Sequence, residues 1–336
     1  MSDYVIWWID DTESRKEKHA EVLEEQMSNL SVIFTHPQKA AEKLNQNDHP
    51  DADLVLIDWM LNEQGEFLGK GLTMAGSVRE HLQNTPIYGF TGGSLNELRT
   101  PASEHQFQST LPLKDISSRA GAKNLEGDIN DYQRVEAARG DGLKALLATL
   151  NPPEGLDEEL KSLIPRTFSN GLKTDPTEEG GSSLEFADWV RHRFLKTPGP
   201  LLDCNWTATK LGVKPDYLDQ YITELYETEY GEFTYDGIFH HRINPLWWTS
   251  ELIEAVVDLA QSRDQTIGEI HAAAPNLLGV DDDHHSICTA CGDPHPDTVA
   301  ASIEGKDATY PVHFHCSNLH HSREGGFEDY RTAEDI

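Results

Sequence analysis

Five polar residues stand where phosphoryl chemistry would want them. Asp10 and Asp11 close the apolar run YVIWWI, and Asp58 closes DLVLID. Thr91 closes PIYGFT, and Lys114 follows FQSTLP in the segment LPLK. A phosphoryl group moving onto a carboxylate spreads charge over three oxygens, and catalysis of that transfer is mostly positioning and neutralisation. Mg²⁺ takes hard oxygen ligands in octahedral geometry. Asp11, Asp58 and a backbone carbonyl after Asp58 can supply three of them. Lys114 can neutralise a phosphoryl oxygen, and Thr91 can hydrogen-bond another and so report the modified state to its loop.

A second constellation lies in the last quarter of the chain. Cys288-x2-Cys291 is followed, after twenty-one intervening residues, by His313-x2-Cys316. Two turns that each present a ligand pair can close tetrahedral Zn²⁺ over a segment too short for a core of its own. The pattern resembles a Cys3His site of the treble-clef type. His315, His320 and His321 are rivals to His313 as the fourth ligand. Cys204 stands alone and is expected as a small buried hydrophobe. Asp281–His285 reads as a solvated acidic loop in preference to a second metal box.

The first constellation needs a scaffold that brings distant strand ends together. YVIWWI, SVIFTH, DLVLID, PIYGFTG and FQSTLPL are continuous apolar runs, as in a parallel sheet covered on both faces. Helices are expected over Glu13–Met27, Pro37–Asn45 and Thr73–Leu82, with a last one near Tyr132–Leu150. Five strands with helices between them predict a doubly wound α/β domain over residues 1–150, with its ligand crevice beyond the carboxyl ends of the strands.

The segments WWIDD, LVLIDWML, GFTGG and LPLK resemble the marker segments of response-regulator receiver domains. The resemblance covers roughly residues 1–150 and implies a flavodoxin-like sheet. It makes Asp58 the phosphoacceptor, Asp10 and Asp11 the Mg²⁺ pair, and Met60 the carbonyl ligand. Thr91 and Lys114 fall at the switch-hydroxyl and lysine positions. It also implies a sensor histidine kinase or other phosphodonor as partner, with a homodimer through the receiver as a further option. Three features depart from the family pattern: Leu111 replaces the aromatic switch residue, Asp115 replaces the proline after the lysine, and the loop NEQGEFLGKG after Asp58 is long.

Residues 151–183 read as a linker, rich in Pro, Gly and Ser. Residues 184–276 are expected as a mostly α, winged-helix-like output domain. Its helix pair spans WTATKLGVKPDYLDQYITELYETEY, with the second helix over Pro215–Tyr230. A hairpin, EFTYDGIFHHRI, turns at Asp236-Gly237. Residues 277–321 form the zinc module, and 322–336 a frayed tail.

The 336 residues carry a net charge of −31. Residues 1–150 hold 24 acidic and 14 basic residues, a net −10, and residues 151–336 hold 34 and 13, a net −21. Nucleic acid and anionic membranes would be repelled by such a surface. No apolar run approaches the ~18 residues of a membrane helix, the N-terminus lacks a signal-peptide pattern, and the thiols sit at metal spacing, so a cytoplasmic setting is expected. Three functions fit: a phosphorylation-controlled module whose acidic output binds protein, a basic surface being the best match; a receiver-gated enzyme effector, hydrolytic or nucleic-acid-processing; and a DNA-binding regulator. Acidic residues along Pro215–Tyr230 count against the last, because base edges and phosphates call for Arg, Lys, Asn or Gln. No separate active-site motif is evident.

Overall fold

The computed structural model describes residues 4–27, 29–61, 70–95, 106–165, 181–266, 270–293, 298–302, 309–313, 316, 319–324 and 327–332. The chain divides into two units, 1–146 with 166–188, and 147–165 with 189–336.

In the first unit β1 (Tyr4–Ile9), β2 (Leu30–Thr35), β3 (Leu54–Asp58), β4 (Ile87–Thr91) and β5 (Ser109–Pro112) form one sheet in the order β2-β1-β3-β4-β5. All four pairings are parallel. The chain steps outward from β1 to β2, then crosses back to β3, which opens a switch point between β1 and β3. β3 and β4 are buried along their whole length, which is why they read as unbroken apolar runs. The core of one face gathers Trp7, Ile9, Val55, Ile57, Met74 and Val78.

The helices α1 (Glu21–Gln26), α2 (Pro37–Asn45), α3 (Gly71–His81), α4 (Leu113–Ile116) and α5 (Arg119–Arg139) flank these strands in the chain. A π-helical turn, Lys16–Ala20, leads into α1. α2 starts on proline, whose missing N–H costs nothing at the first position. α5 begins at Arg119, well before the helix expected near Tyr132. The hydroxyl of Ser118 caps it by accepting from the Gly121 amide at 3.0 Å. Its buried stripe is Ala122, Leu125, Asp128, Ile129, Tyr132 and Val135. Asp128 interrupts the apolar pattern yet is fully buried, because its carboxylate accepts from the Tyr88 hydroxyl at 2.8 Å. The loop 62–69, read above as long, lies outside the described residues.

In the second unit β6 (Leu201–Leu202), α6 (Cys204–Lys210), α7 (Leu218–Ile222), β7 (Trp247–Trp248), α8 (Thr249–Ser262) and α9 (Ile270–Leu277) follow in order. α8 buries Leu252, Ala255, Val256, Leu259 and Ala260, the spacing of one helical face. That face joins Leu202, Leu211, Leu218, Ile222, Leu225 and Phe233 in one core.

Two expectations are corrected here. The helix over Pro215–Tyr230 is broken into a 3-10 turn at Pro215–Tyr217, α7, and a second 3-10 turn at Leu225–Glu227. Like charges three apart, Asp216 with Asp219 and Glu224 with Glu227, oppose one continuous helix. The hairpin does not turn at Asp236-Gly237. Thr234 instead bridges Trp247, and β7 also pairs antiparallel with β6. Gly237 serves close approach: a Cβ there would lie 2.4 Å from the Leu150 carbonyl oxygen. The Ile238 amide donates to the Thr149 carbonyl, and Asn151 donates to Asp236 at 2.6 Å.

In the tail β8 (Thr298–Ser302) and β9 (Thr309–His313) pair antiparallel, as do β10 (Leu319–Glu324) and β11 (Phe327–Thr332). Most of the stretch expected to be frayed is thus paired. The dipeptide Gly325-Gly326 between β10 and β11 is a two-residue hairpin signal in the sequence.

Candidate functional sites

Asp10 and Asp11 follow the last residue of β1, while Asp58 and Thr91 are the last residues of β3 and β4. All four are buried, at 0%, 4%, 1% and 4% exposure. Carboxylate oxygens of Asp10, Asp11 and Asp58 lie within 4.8 Å of one another. The Thr12 amide donates to Asp10 Oδ1 at 2.8 Å, and the Trp8 indole to Asp10 Oδ2 at 3.3 Å. The Thr91 hydroxyl accepts from the Gly93 amide at 3.0 Å.

Arg15, which the sequence reading passed over, enters this cluster from the turn before α1. Its Nη1 donates to Asp58 Oδ2 at 2.8 Å and to Asp10 Oδ1 at 3.2 Å, and the side chain is 16% exposed. Burial raises the Asp58 carboxyl to about 7; the charge of Asp10 adds to this and Arg15 opposes it. Burial also raises Asp10, against the pull of Arg15 and the hydrogen bonds from Thr12 and Trp8. The cluster is therefore short of positive charge even with Arg15 in place, and its hard oxygen donors suit a divalent cation such as Mg²⁺ or Mn²⁺.

Lys114 is placed differently from the strand-end position expected of it. β5 stops at Pro112, opposite Thr91, and Lys114 is an exposed residue of α4. Pro112 has no N–H to carry the ladder further and serves as the N-cap of α4. Met60 is half-buried two residues after Asp58.

The backbone behind Asp58 is tightly held. The Gly71 amide donates to the Trp59 carbonyl, and the Trp59 amide to the Phe90 carbonyl. A Cβ at Gly71 would lie 2.5 Å from the Asp58 carbonyl oxygen and 3.1 Å from Trp59 Cα. Gly71→Ala must move backbone, so a loss of about 2 kcal/mol is expected, in the usual range for overpacking. Urea unfolding of the two proteins measures it, and a variant as stable as the wild type would show that α3 moves aside freely.

The strand order 2-1-3-4-5, with three carboxylates beyond its carboxyl edge on β1 and β3, decides the architecture. The first unit has a flavodoxin-like, doubly wound fold. Among solved structures, its counterparts include a receiver domain from Methylobacillus flagellatus, with 19% identity over 38% of this chain and 98% of that one, TM-score 0.31. The signal receiver domain of NarL from Mycobacterium tuberculosis shares 15% identity over 39% of this chain and 98% of that one, TM-score 0.31. The Mn²⁺-bound form of the response regulator Rcp1 shares 18% over 34% and 86%, TM-score 0.27. No protein-family model matches the chain, and no curated protein matches it.

Outside the first unit, the thiols of Cys288, Cys291 and Cys316 lie within 4.8 Å of one another. Cys288 is buried, Cys291 exposed and Cys316 half-buried. A turn holds the first two: the Gly292 amide donates to the Cys288 carbonyl and the Cys288 amide to the Asp293 carbonyl, both at 2.9 Å. Both the amide and the hydroxyl of Thr289 donate to the Pro311 carbonyl on β9, two residues before His313. The side chains of His313, His315, His320 and His321 lie outside the described residues. Tetrahedral ligands at ~2.3 Å from Zn²⁺ sit about 3.8 Å apart, so the three thiols fit such an ion with little movement. Cys204 is exposed at the start of α6, contrary to expectation, because the first turn of that helix faces outward at this position.

The acids Asp281, Asp282 and Asp283 are exposed, as a solvated loop would have them, while the histidines that follow are tied down. The His284 ring stacks on Tyr217 at 3.6 Å between centroids, and its Nδ1 is 2.7 Å from the Tyr221 hydroxyl. The Lys214 amide donates to the His284 carbonyl, His285 bridges Val213, and the Ser286 amide donates to Gly212. Three acidic residues are thereby laid against the start of the second helix of the pair.

Proposed function

We propose that this chain is a cytoplasmic response regulator. A sensor histidine kinase or another phosphodonor modifies Asp58, and the modification controls protein contacts made by the acidic second unit. One observation carries the reading: a buried carboxylate at the end of β3, with Asp10 and Asp11 within 4.8 Å of it. Asp10, Asp11, Asp58 and the Met60 carbonyl would hold Mg²⁺, which neutralises phosphoryl oxygens when bound. Thr91, at the end of the neighbouring strand, is positioned to hydrogen-bond a phosphoryl oxygen and to pull its Gly92-Gly93 loop with it. Cys288, Cys291, Cys316 and His313 would hold a structural Zn²⁺.

The short-strand arrangement of the second unit, β6 beside β7 beside Thr234 with the helix pair between, supports a reduced winged helix. Two observations favour protein over DNA as its target. Residues 151–336 carry a net −21, and the segment Asp281–His285 covers the start of the helix that would meet bases. A duplex would meet like charge with little to offset it, whereas a basic protein surface would be attracted, with salt weakening the encounter.

Acetyl phosphate with Mg²⁺ is expected to add one phosphoryl mass to the full-length protein, and Asp58→Ala to abolish the addition. Intact-mass spectrometry reads both. If the wild type gains no mass with Mg²⁺ present, or if Asp58→Ala gains it equally, Asp58 is not the acceptor.

A further inference from the structure

We propose that Arg15 is the phosphoryl-binding cation of this receiver unit, the role that strand-end position would assign to Lys114. The inference rests on the phosphoacceptor reading above and adds to it a residue that no marker segment contains. Arg15 Nη1 is 2.8 Å from Asp58 Oδ2 and 3.2 Å from Asp10 Oδ1. Its other terminal nitrogen faces the loop after β4, since a Cβ built on Gly92 would lie 3.7 Å from Nη2. The guanidinium therefore spans from the acceptor carboxylate toward the loop beside Thr91. Lys114, by contrast, is exposed on α4, two residues past the end of β5.

The chemistry of the side chain fits the place. A guanidinium offers five donors in a planar fork that matches the oxygens of phosphate, and it stays charged at any working pH. Before transfer Arg15 holds the acceptor oxygen in position. In the transfer from acetyl phosphate, an Asp58 oxygen attacks phosphorus and a new O–P bond forms. The bond from phosphorus to the acetyl oxygen breaks, and acetate leaves with that electron pair. Two negative charges then stand where one carboxylate charge stood. The Nη1 N–H that donates to Asp58 can turn to a phosphoryl oxygen without the guanidinium leaving Asp10. Arg15 thus has a partner in both states, so the side chain need not be reordered at the moment of reaction.

The test is the rate of acetyl phosphate modification, by intact mass, across a range of acetyl phosphate concentrations on the full-length protein. Arg15→Ala is expected to slow the maximal rate about 100-fold, the usual scale for removing one preorganised charge-stabilising group. Arg15→Lys is expected to recover part of that loss, because it restores the charge but not the fork. Lys114→Ala is expected to lose at least tenfold less than Arg15→Ala. Thermal melting checks that each variant is folded. If Arg15→Ala fails to fold, Arg15→Gln, a shorter neutral side chain that still offers two N–H donors, carries the same expectation. Modification of the folded neutral variant at the wild-type rate would overturn the proposal and leave the phosphoacceptor reading standing. So would an equal or greater loss in Lys114→Ala. A wild type that takes no phosphoryl group sinks both.

Discussion

Cys291→Ser is expected to strip the tail of its metal and release β8 and β9 while the receiver sheet stays intact. Purified wild type should carry close to one Zn²⁺ per chain, and the variant almost none. The three thiols are already gathered within 4.8 Å, so the ion has little to rearrange. What it supplies is cohesion for the segment. Among the described residues of the tail, Cys288 and Val312 are buried apolar side chains. Structural zinc contributes on the order of 10–16 kcal/mol in small zinc-dependent folds. Loss of one thiolate from a four-ligand site removes most of that. Thr289 and Pro311 tie the β8–β9 pair to the metal turn, so its amide protection should fall with the metal. Metal analysis together with hydrogen exchange reads both effects. Full zinc in Cys291→Ser would mean that another ligand set holds the ion, and unchanged protection of β9 would mean that the hairpin is held by its packing on α6.

Trp8→Ala should destabilise the receiver unit by about 3–5 kcal/mol, the usual cost of emptying a large aromatic from a core. Trp8 is completely buried. Its ring lies 4.9 Å from that of Phe90 on β4, and its indole N–H donates to Asp10. The substitution therefore opens a cavity under the sheet and removes a donor from a buried carboxylate at the same time. Trp8→Phe separates the two effects. It keeps most of the packing and should cost about 1–2 kcal/mol, chiefly for the donor lost from Asp10 Oδ2, which keeps a 3.4 Å contact with Arg15. Urea unfolding followed by far-UV circular dichroism gives both values. An alanine variant within 1 kcal/mol of wild type would show that the sheet closes over the lost ring.

Most of the first unit's scaffold is legible because β3, β4 and most of β1 are buried and so spell out unbroken apolar runs. Asp10, Asp11, Asp58 and Thr91 are legible for a related reason: a polar residue that ends such a run has to lie at the strand's end. Arg15 is not legible in this way. It sits on a helical turn, and its partner Asp58 is 43 residues away, so no run or spacing marks it. The pattern LPLK continues β5 on paper, while Pro112 ends it, so Lys114 lies on α4 and not at the strand end. α5 was hidden by Asp128, an acid on the buried face whose tyrosine partner lies 40 residues off. In the second unit the Asp-Gly pair spoke for a turn, but the glycine is there for a close approach to Leu150. The true return strand, Trp247–Trp248, is two residues long, too short to show any period.

The anchoring of Asp281–His285 has a consequence for the order in which the second unit can assemble. The contact between Lys214 and Asp283 joins residues 69 apart in the chain. Closing a loop of that length costs about 4 kcal/mol of chain entropy, and nothing is returned until the far segment arrives. The helix pair therefore cannot reach its final state on local contacts alone. It waits for a stretch of chain synthesised well after it, and contacts of such long range slow folding. On the ribosome α6 and α7 emerge with Tyr217 and Tyr221 uncovered, and stay so until His284 has been made.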